Sequence, residues 1–360
     1  MGQIRTLTAL RFVAALVVVL CHLDILAKSP SPTLSGLYKG WFSEGFIGVT
    51  FFFVLSGFIL SYATWGKKGG GVQIKRFYVN RFARIYPLHF LTFLLSLPLV
   101  WVTARQLSDW ETWGGLLANL SLLQAFMPFK AVYFSVNHPS WSLSVEFFFY
   151  ALFPFLFASR TGSLLVLLGV GYAYHLALAL AWGKLNPLVT EQWQYLAYVF
   201  PPARLVDFVS GILIYRLRKH QTLSAGLATS LQIASLACLL GQIGVANKVS
   251  MVLRSDIFYL PVMTFLVYAF SFENGWLGRR LAIRPIVYLG EVSFSLYMVH
   301  QLVIRYGEYL MAKLTVPDTL LSGLVFSGIV VVVSLILSVL LYERVELPAK
   351  SWLGRRLYAV

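Results

Sequence analysis

Charge is what this sequence has least of. Charged side chains make up 12% of its 360 residues, about half the share carried by soluble domains. That is too few to coat a water-facing surface of this size. Acidic residues are scarcer than basic ones, 14 against 29, and the formal net charge is +15. Cysteine is nearly absent: Cys21 and Cys238 each lie inside an apolar segment, which excludes a disulfide framework. No His/Cys/Asp cluster has metal-ligand spacing, and no glycine-rich loop for phosphate is present. A basic balance alone suggests nucleic acid, but no other feature supports such a site.

What the chain does have is apolar length. Hydrophobic residues are 58% of the whole and the mean hydropathy is +0.74, so lipid is the solvent for most of it. A spanning helix needs roughly 20 mainly apolar residues, and backbone groups in lipid must be satisfied internally by helices or a closed barrel. The apolar runs are continuous, as in Phe12 to Leu20 and Ile329 to Leu341, whereas barrel strands alternate. The expectation is an all-α, polytopic transmembrane helical bundle. Ten spans are placed at 5–26, 45–65, 82–104, 140–158, 162–182, 198–215, 222–245, 254–272, 285–309 and 319–342. Segment 114–127 is too short and broken to be another. The amino-terminal run has no small-residue cleavage site after it and reads as a retained first span. With these spans, nineteen of the 29 lysines and arginines fall on the side of the amino terminus, which predicts cytoplasmic N and C termini and a multi-pass protein of the cytoplasmic (inner) membrane. Residues 1–347 form one transmembrane domain and 348–360 a short basic cytoplasmic tail.

Ionisable groups at bilayer depth are expensive, and so they are functional candidates. Arg11 and His22 are eleven residues apart, about three helical turns plus 20°, so they share a face roughly 16 Å apart along the axis. Histidine suits proton transfer at neutral pH. The bland alternative is a histidine satisfied by a carbonyl, with Arg11 anchoring the helix end. Cys21 points about 100° away from His22 and reads poorly as a nucleophile. In Gly45–Ile59 the glycines Gly45, Gly48 and Gly57 permit close helix approach and the phenylalanines are packing residues. Arg81 and Arg84 are three apart on one face, and arginine's planar fork suits phosphate; a positive-inside anchor is the competing reading. Glu146, one turn inside an apolar helix that opens Asn137-His138-Pro139-Ser140-Trp141-Ser142, needs a partner, and a histidine or arginine from another span is expected. Ser293, Tyr297 and His300 fall on one stripe, a cavity wall or a set of inter-helix hydrogen bonds. Arg204 and Asp207 are spaced as a simple ion pair. Glu343 and Glu346 are placed to meet cytoplasmic arginines.

Taken together, these segments resemble the acyltransferase 3 family of membrane-bound O-acyltransferases over nearly the whole chain. The carrying features are Arg11 with His22, Gly45–Ile59, Arg81-Phe-Ala-Arg84-Ile-Tyr-Pro87, Trp141-Ser-Leu-Ser-Val-Glu146, and Leu289–His300. Phe147 and Phe148 stand where the family often has a further Glu and a Gln, and no hydrolase-like domain is seen. The resemblance implies transfer of an acyl group, commonly acetyl from acetyl-CoA, to a hydroxyl of a cell-envelope carbohydrate, a lipid-linked glycan or a related acceptor. It makes His22 the general base, Glu146 and Arg11 its catalytic companions, and Arg11, Arg81 and Arg84 the holders of the acyl-CoA donor. Ser142, Ser293, Tyr297 and His300 line the substrate cavity, with no metal, no nucleic acid, and membrane lipids as surroundings. Tyr297, Ser142 or an arginine would stabilise the oxyanion. Direct transfer in a ternary complex is expected, with an acyl-histidine intermediate open. The alternative is a proton-coupled transporter of a polar solute, although no paired halves with broken helices are visible.

Overall fold

The computed structural model describes residues 3–27, 31–65, 72–103, 108–182, 190–317 and 319–358. Of the basic residues used for orientation, Lys28, Lys67, Lys68, Arg105 and Lys184 lie outside them. The described residues form helices and no strands. In chain order these are α1 (Arg5–Cys21), α2 (Pro32–Gly40), α3 (Ile47–Trp65), α4 (Ile74–Thr103), α5 (Asp109–Leu120) and α6 (Lys130–Tyr133). There follow α7 (Ser140–Ala158), α8 (Thr161–Trp182), α9 (Thr190–Gln194), α10 (Leu205–Arg218), α11 (Ala225–Val245) and α12 (Met251–Arg254). The last are α13 (Leu260–Phe270), α14 (Trp276–Leu281), α15 (Arg284–Lys313), α16 (Leu320–Leu341) and α17 (Leu347–Tyr358). The segment expected to be a tail is thus helical through Tyr358.

Seven helices among the described residues are long and apolar enough to cross a membrane, fewer than the ten spans the sequence suggests. The other three correspond to shorter helices, α1, α10 and α13, of 17, 14 and 11 residues. Local chemistry explains their shortness. A turn after Cys21 ends α1. Pro201 and Pro202 have no N–H to give, so α10 starts only at Leu205. Pro261 sits in the first turn of α13, the place a helix tolerates it.

The chain divides into two compact units. The first comprises Met1–Ala14, Ile47–Gln73 and Val145–Glu291; the second comprises Ala15–Phe46, Ile74–Ser144 and Val292–Val360. In the first unit α3 and α10 touch backbone to backbone. A Cβ on Gly57 would lie 2.1 Å from the Phe208 carbonyl oxygen, and one on Gly211 would lie 2.0 Å from that of Val54. The aromatic run of α3 is packing, as its composition suggests: Phe53 meets Phe149 edge-on at 5.1 Å, and Phe149 stacks on Phe208 at 4.8 Å. Beside this seam lies a fully buried charged set. Arg204 contacts Asp207 at 2.9 Å and Asp256 at 3.2 Å, and it donates to Thr50 at 2.8 Å and to the Ser255 carbonyl at 3.1 Å. Asp256 in turn holds His175 at 3.0 Å. The spaced pair Arg204–Asp207 is therefore one part of a larger set that Asp256 and His175 complete from distant segments.

In the second unit Leu23, Ile304, Phe326 and Val330 form one buried apolar cluster. Gly307 of α15 leaves room for the Phe326 ring, which a Cβ there would approach to 2.6 Å. Gly45 performs the same service at the end of α1, where a Cβ would fall 2.4 Å from the Val17 carbonyl oxygen. The hydroxyl of Ser295 donates to Glu346, so this carboxylate is bonded to α15.

Replacing Arg204 by Met removes the only cation whose contacts join Thr50, Asp207 and Asp256 among the described residues. Breaking a buried pair from one side typically costs about 3–5 kcal/mol. The expected outcome is a large fall in the thermal midpoint of the detergent-solubilised protein. A midpoint equal to wild type would show that the set is not holding the first unit together.

Candidate active site

The site of interest lies in the second unit and begins with how α1 ends. The last four carbonyls of a helix have no partner within it. Here each finds one. The His22 amide donates to Val18 at 3.3 Å and to Val19 at 3.1 Å, the Leu23 amide donates to Leu20 at 3.2 Å, and the Tyr38 hydroxyl donates to Cys21. The His22 ring adds a second bond to Val18, Nδ1 to carbonyl oxygen at 2.8 Å. A carbonyl oxygen only accepts, so Nδ1 carries the hydrogen. In the neutral ring Nε2 is then the basic atom. The half-buried ring is thereby fixed in orientation and tautomer by its own helix.

His300 of α15 stands against this ring. The ring centroids are 5.0 Å apart, and His300 Nε2 is 3.4 Å from His22 Nδ1. His300 is fully buried, and its Nδ1 lies 2.7 Å from the Tyr297 carbonyl. One turn earlier the Tyr297 hydroxyl meets Ser142 Oγ at 2.8 Å, while Ser142 donates to the Pro139 carbonyl at 2.9 Å. The Tyr297 hydroxyl, bonded to Ser142 Oγ and 3.4 Å from the Pro139 carbonyl, thus ties the start of α7 to α15. Ser293 is buried on the same stripe.

The segment before α7 is held with unusual thoroughness. Asn119 donates to the Ser135 carbonyl at 2.9 Å and to Ser140 Oγ at 2.8 Å, and Gln124 donates to the Ser140 carbonyl at 2.9 Å. Asn137 donates to the Met298 carbonyl at 2.9 Å. Within this segment Val136 adopts φ 61°, a left-handed backbone that a β-branched residue resists. Arg305 donates to its carbonyl at 2.7 Å. Such strain persists where surroundings over-determine it, and it clusters at functional sites. The held segment presents His138, an exposed side chain that lies close enough to His22 and His300 for their charges to interact.

The remaining sequence candidates lie as follows. Arg81 and Arg84 are half-buried on α4 in the second unit, with Lys75 and Arg76 exposed at its start. Arg11 is half-buried on α1 in the first unit. Glu146 also belongs to the first unit, and there it accepts from Ser56 at 3.2 Å and from the Tyr150 hydroxyl. Its described partners are two hydroxyls, where a cation was expected. Tyr150 is one turn away on the same helix, a spacing that sequence could have offered. The structure therefore joins His22, His300, Tyr297 and Ser142 within one unit and adds His138, which the sequence placed at a helix start, and Arg305, which lies within the span expected at 285–309. Cys21 donates to the Ser43 carbonyl at 3.5 Å and takes no part in this cluster. Among the described residues no group of histidine, cysteine, aspartate and glutamate is arranged to hold a metal ion.

Chemically, the cluster is a positioned imidazole with one basic nitrogen, in a half-buried place beside a second, fully buried imidazole. That is what abstraction of a proton from a neutral hydroxyl requires.

A family model described as an acyltransferase domain matches residues 4–343. The acyltransferase MdmB of Streptomyces mycarofaciens is 30% identical to this chain over 376 aligned residues, covering 98% of the chain and 93% of the relative. The peptidoglycan O-acetyltransferase OatA of Listeria monocytogenes is 22% identical, covering 82% of the chain and 49% of the relative. A putative O-acetyltransferase of Staphylococcus aureus is 19% identical, with 85% and 51% covered. The chain spans about half the length of these two O-acetyltransferases. No solved structure matches.

If the Arg305 bond sustains the strained turn, Arg305→Ala should loosen the segment that carries His138 and Ser142. Turnover should fall by about tenfold, because small misplacements at a reacting centre are costly. Proteolysis near residues 134–139 should speed up in the same variant. Unchanged cleavage there, measured by mass spectrometry of the fragments, would contradict the role given to this bond.

Proposed function

This chain belongs to the acyltransferase 3 family and is a membrane O-acyltransferase, and from that premise we propose that it moves an acetyl group from cytoplasmic acetyl-CoA to a hydroxyl of a cell-envelope carbohydrate or related acceptor. The observation that carries the reading is the His22 ring, whose Nδ1 is committed to the Val18 carbonyl and whose Nε2 is therefore the base. His22 Nε2 takes the proton of the acceptor hydroxyl as its oxygen attacks the thioester carbonyl carbon. The tetrahedral intermediate collapses, the carbon–sulfur bond breaks, and the imidazolium returns its proton to the departing thiolate. Direct transfer fits this arrangement. The nearest thiol, Cys21, is bonded to a carbonyl, and among the described residues no activated nucleophile stands beside the base.

The donor is an anion with several phosphates. Arg81 and Arg84, three residues apart on α4 behind the exposed Lys75 and Arg76, are the proposed phosphate ligands. Arg11 is carried as a third donor residue by its motif alone. Glu146 is proposed to orient or polarise the base, with Ser56 and Tyr150 holding its carboxylate. The Tyr297 and Ser142 hydroxyls are bonded to each other and to the Pro139 carbonyl, so either would have to exchange such a bond to serve as oxyanion donor. The peptidoglycan named for one relative supports a carbohydrate acceptor at the cell envelope, and the proposed location is the inner membrane with both termini in the cytoplasm. The acyltransferase relatives favour this enzyme over a proton-coupled transporter.

The test is transfer of radiolabel from acetyl-CoA to glycan or lipid in membranes. His22→Ala should abolish it while the protein remains folded and membrane-inserted. Arg84→Ala should raise the donor KM about tenfold or more, as expected for a lost charge-assisted contact, with kcat nearly kept. Full acylation by the His22 variant would remove it as the base. A normal donor KM would remove Arg84 from the phosphate site.

A further inference from the structure

His300 was expected to line the substrate cavity, yet it is fully buried and its two ring nitrogens both face protein atoms. Their protonation follows from their partners. Nδ1 lies 2.7 Å from the Tyr297 carbonyl oxygen, so Nδ1 carries the hydrogen. Nε2 of the neutral ring is then a lone pair, and it points at His22 Nδ1 from 3.4 Å. The hydrogen on His22 Nδ1 is shared between this lone pair and the Val18 carbonyl. Both rings thus have the same tautomer, and only that combination places a donor against an acceptor at every contact. A hydrogen on His300 Nε2 would face the hydrogen on His22 Nδ1.

We propose that His300 is a positioning residue for His22, one that accepts from its Nδ1–H and so steadies the imidazolium formed when Nε2 takes the acceptor proton. The inference rests on His22 being the base. The distance is long for the resting pair and shortens when the donor becomes charged, as catalytic hydrogen bonds do on formation of the reacting complex. A carboxylate in this place would bind the imidazolium far more strongly and hold it protonated in the resting enzyme. A neutral imidazole lends support without adding charge to a low-dielectric interior. The other titratable or charged groups acting on His22 are Asp24 and His138, the latter next to Arg305. Asp24 is exposed and lies past the helix end, so it adds attraction without replacing the buried lone pair.

The experiment compares His300→Gln with His300→Met in membranes, with His22→Ala alongside. Glutamine reaches as far as Nε2 and keeps an acceptor that does not titrate. Methionine fills similar space with only a weak acceptor. His300→Met is expected to lower kcat by about tenfold or more, by analogy with loss of a histidine's outer partner, with the donor KM within twofold. Its acid limb of kcat against pH should move to lower pH, because the imidazolium has lost an acceptor. His300→Gln should keep most of the kcat and an acid limb near that of wild type. A folded glutamine variant as inactive as His22→Ala overturns the proposal. So does a folded methionine variant with wild-type kcat and an unmoved acid limb. Full activity in His22→Ala would instead overturn the base assignment on which this inference stands.

Discussion

The absence of water from the bilayer interior is the constraint on which everything else in this molecule depends. A carbonyl at the end of a helix normally turns to solvent. At the end of α1 the protein supplies its own donors: the amides of His22 and Leu23, the hydroxyl of Tyr38 and the ring of His22. The same bond that satisfies the Val18 carbonyl also chooses the tautomer of the histidine. Structural need and the proposed chemical role coincide in one hydrogen. A histidine satisfied by a carbonyl, the bland reading of His22, and the proposed base are therefore compatible in one arrangement, because among the described residues only Nδ1 of the ring is bonded.

The first unit answers the same constraint with charge. Arg204 has no exposed surface, and a lone guanidinium could not be kept there. Two carboxylates, a hydroxyl and a carbonyl surround it, and the rings of Phe53 and Tyr198 lie 5.3 Å from its centre. Buried ion pairs of this kind contribute less to net stability than to fixing one arrangement over others. Here they connect α3 through Thr50, α10 through Asp207, and the turn before α13 through Asp256. The glycine contacts between α3 and α10 have the same effect by steric means: they allow one approach of two backbones and forbid most others.

Much of this was legible in the sequence because lipid leaves a coarse signature. Continuous apolar runs gave α7 its bounds at Ser140 and Ala158 and α16 nearly its whole length. Helical spacing placed Ser293, Tyr297 and His300 on one stripe, and α15 is helical throughout. Span count was less legible. Hydropathy registers the apolar content of α10 and α13 but not the prolines that precede the first and open the second. Contacts between segments distant in sequence were not legible at all. Nothing local indicates that Asp256 completes the Arg204 set, that His300 stands against His22 from 278 residues away, or that Glu146 is held by Ser56. His138 was in plain view beside Pro139, but a histidine before a helix start carries no signal until the backbone around Val136 is known.

The placement of strain follows from the chemistry. A base that must accept and return a proton gains nothing from a strong fixed charge nearby, and gains much from an orientation that does not drift. The second unit provides rigidity with neutral groups. The His22 ring is held by a carbonyl, His300 by the carbonyl of Tyr297, and the start of α7 by Tyr297, Asn119 and Gln124. The left-handed Val136 is tolerated because the Arg305 guanidinium binds its carbonyl and Asn137 ties the next residue to α15. These bonds keep charge at the edge of the cluster, with Arg305 beside His138 and Asp24 exposed beyond the end of α1, and leave Nε2 of His22, the proposed base, outside the hydrogen bonds that fix the ring.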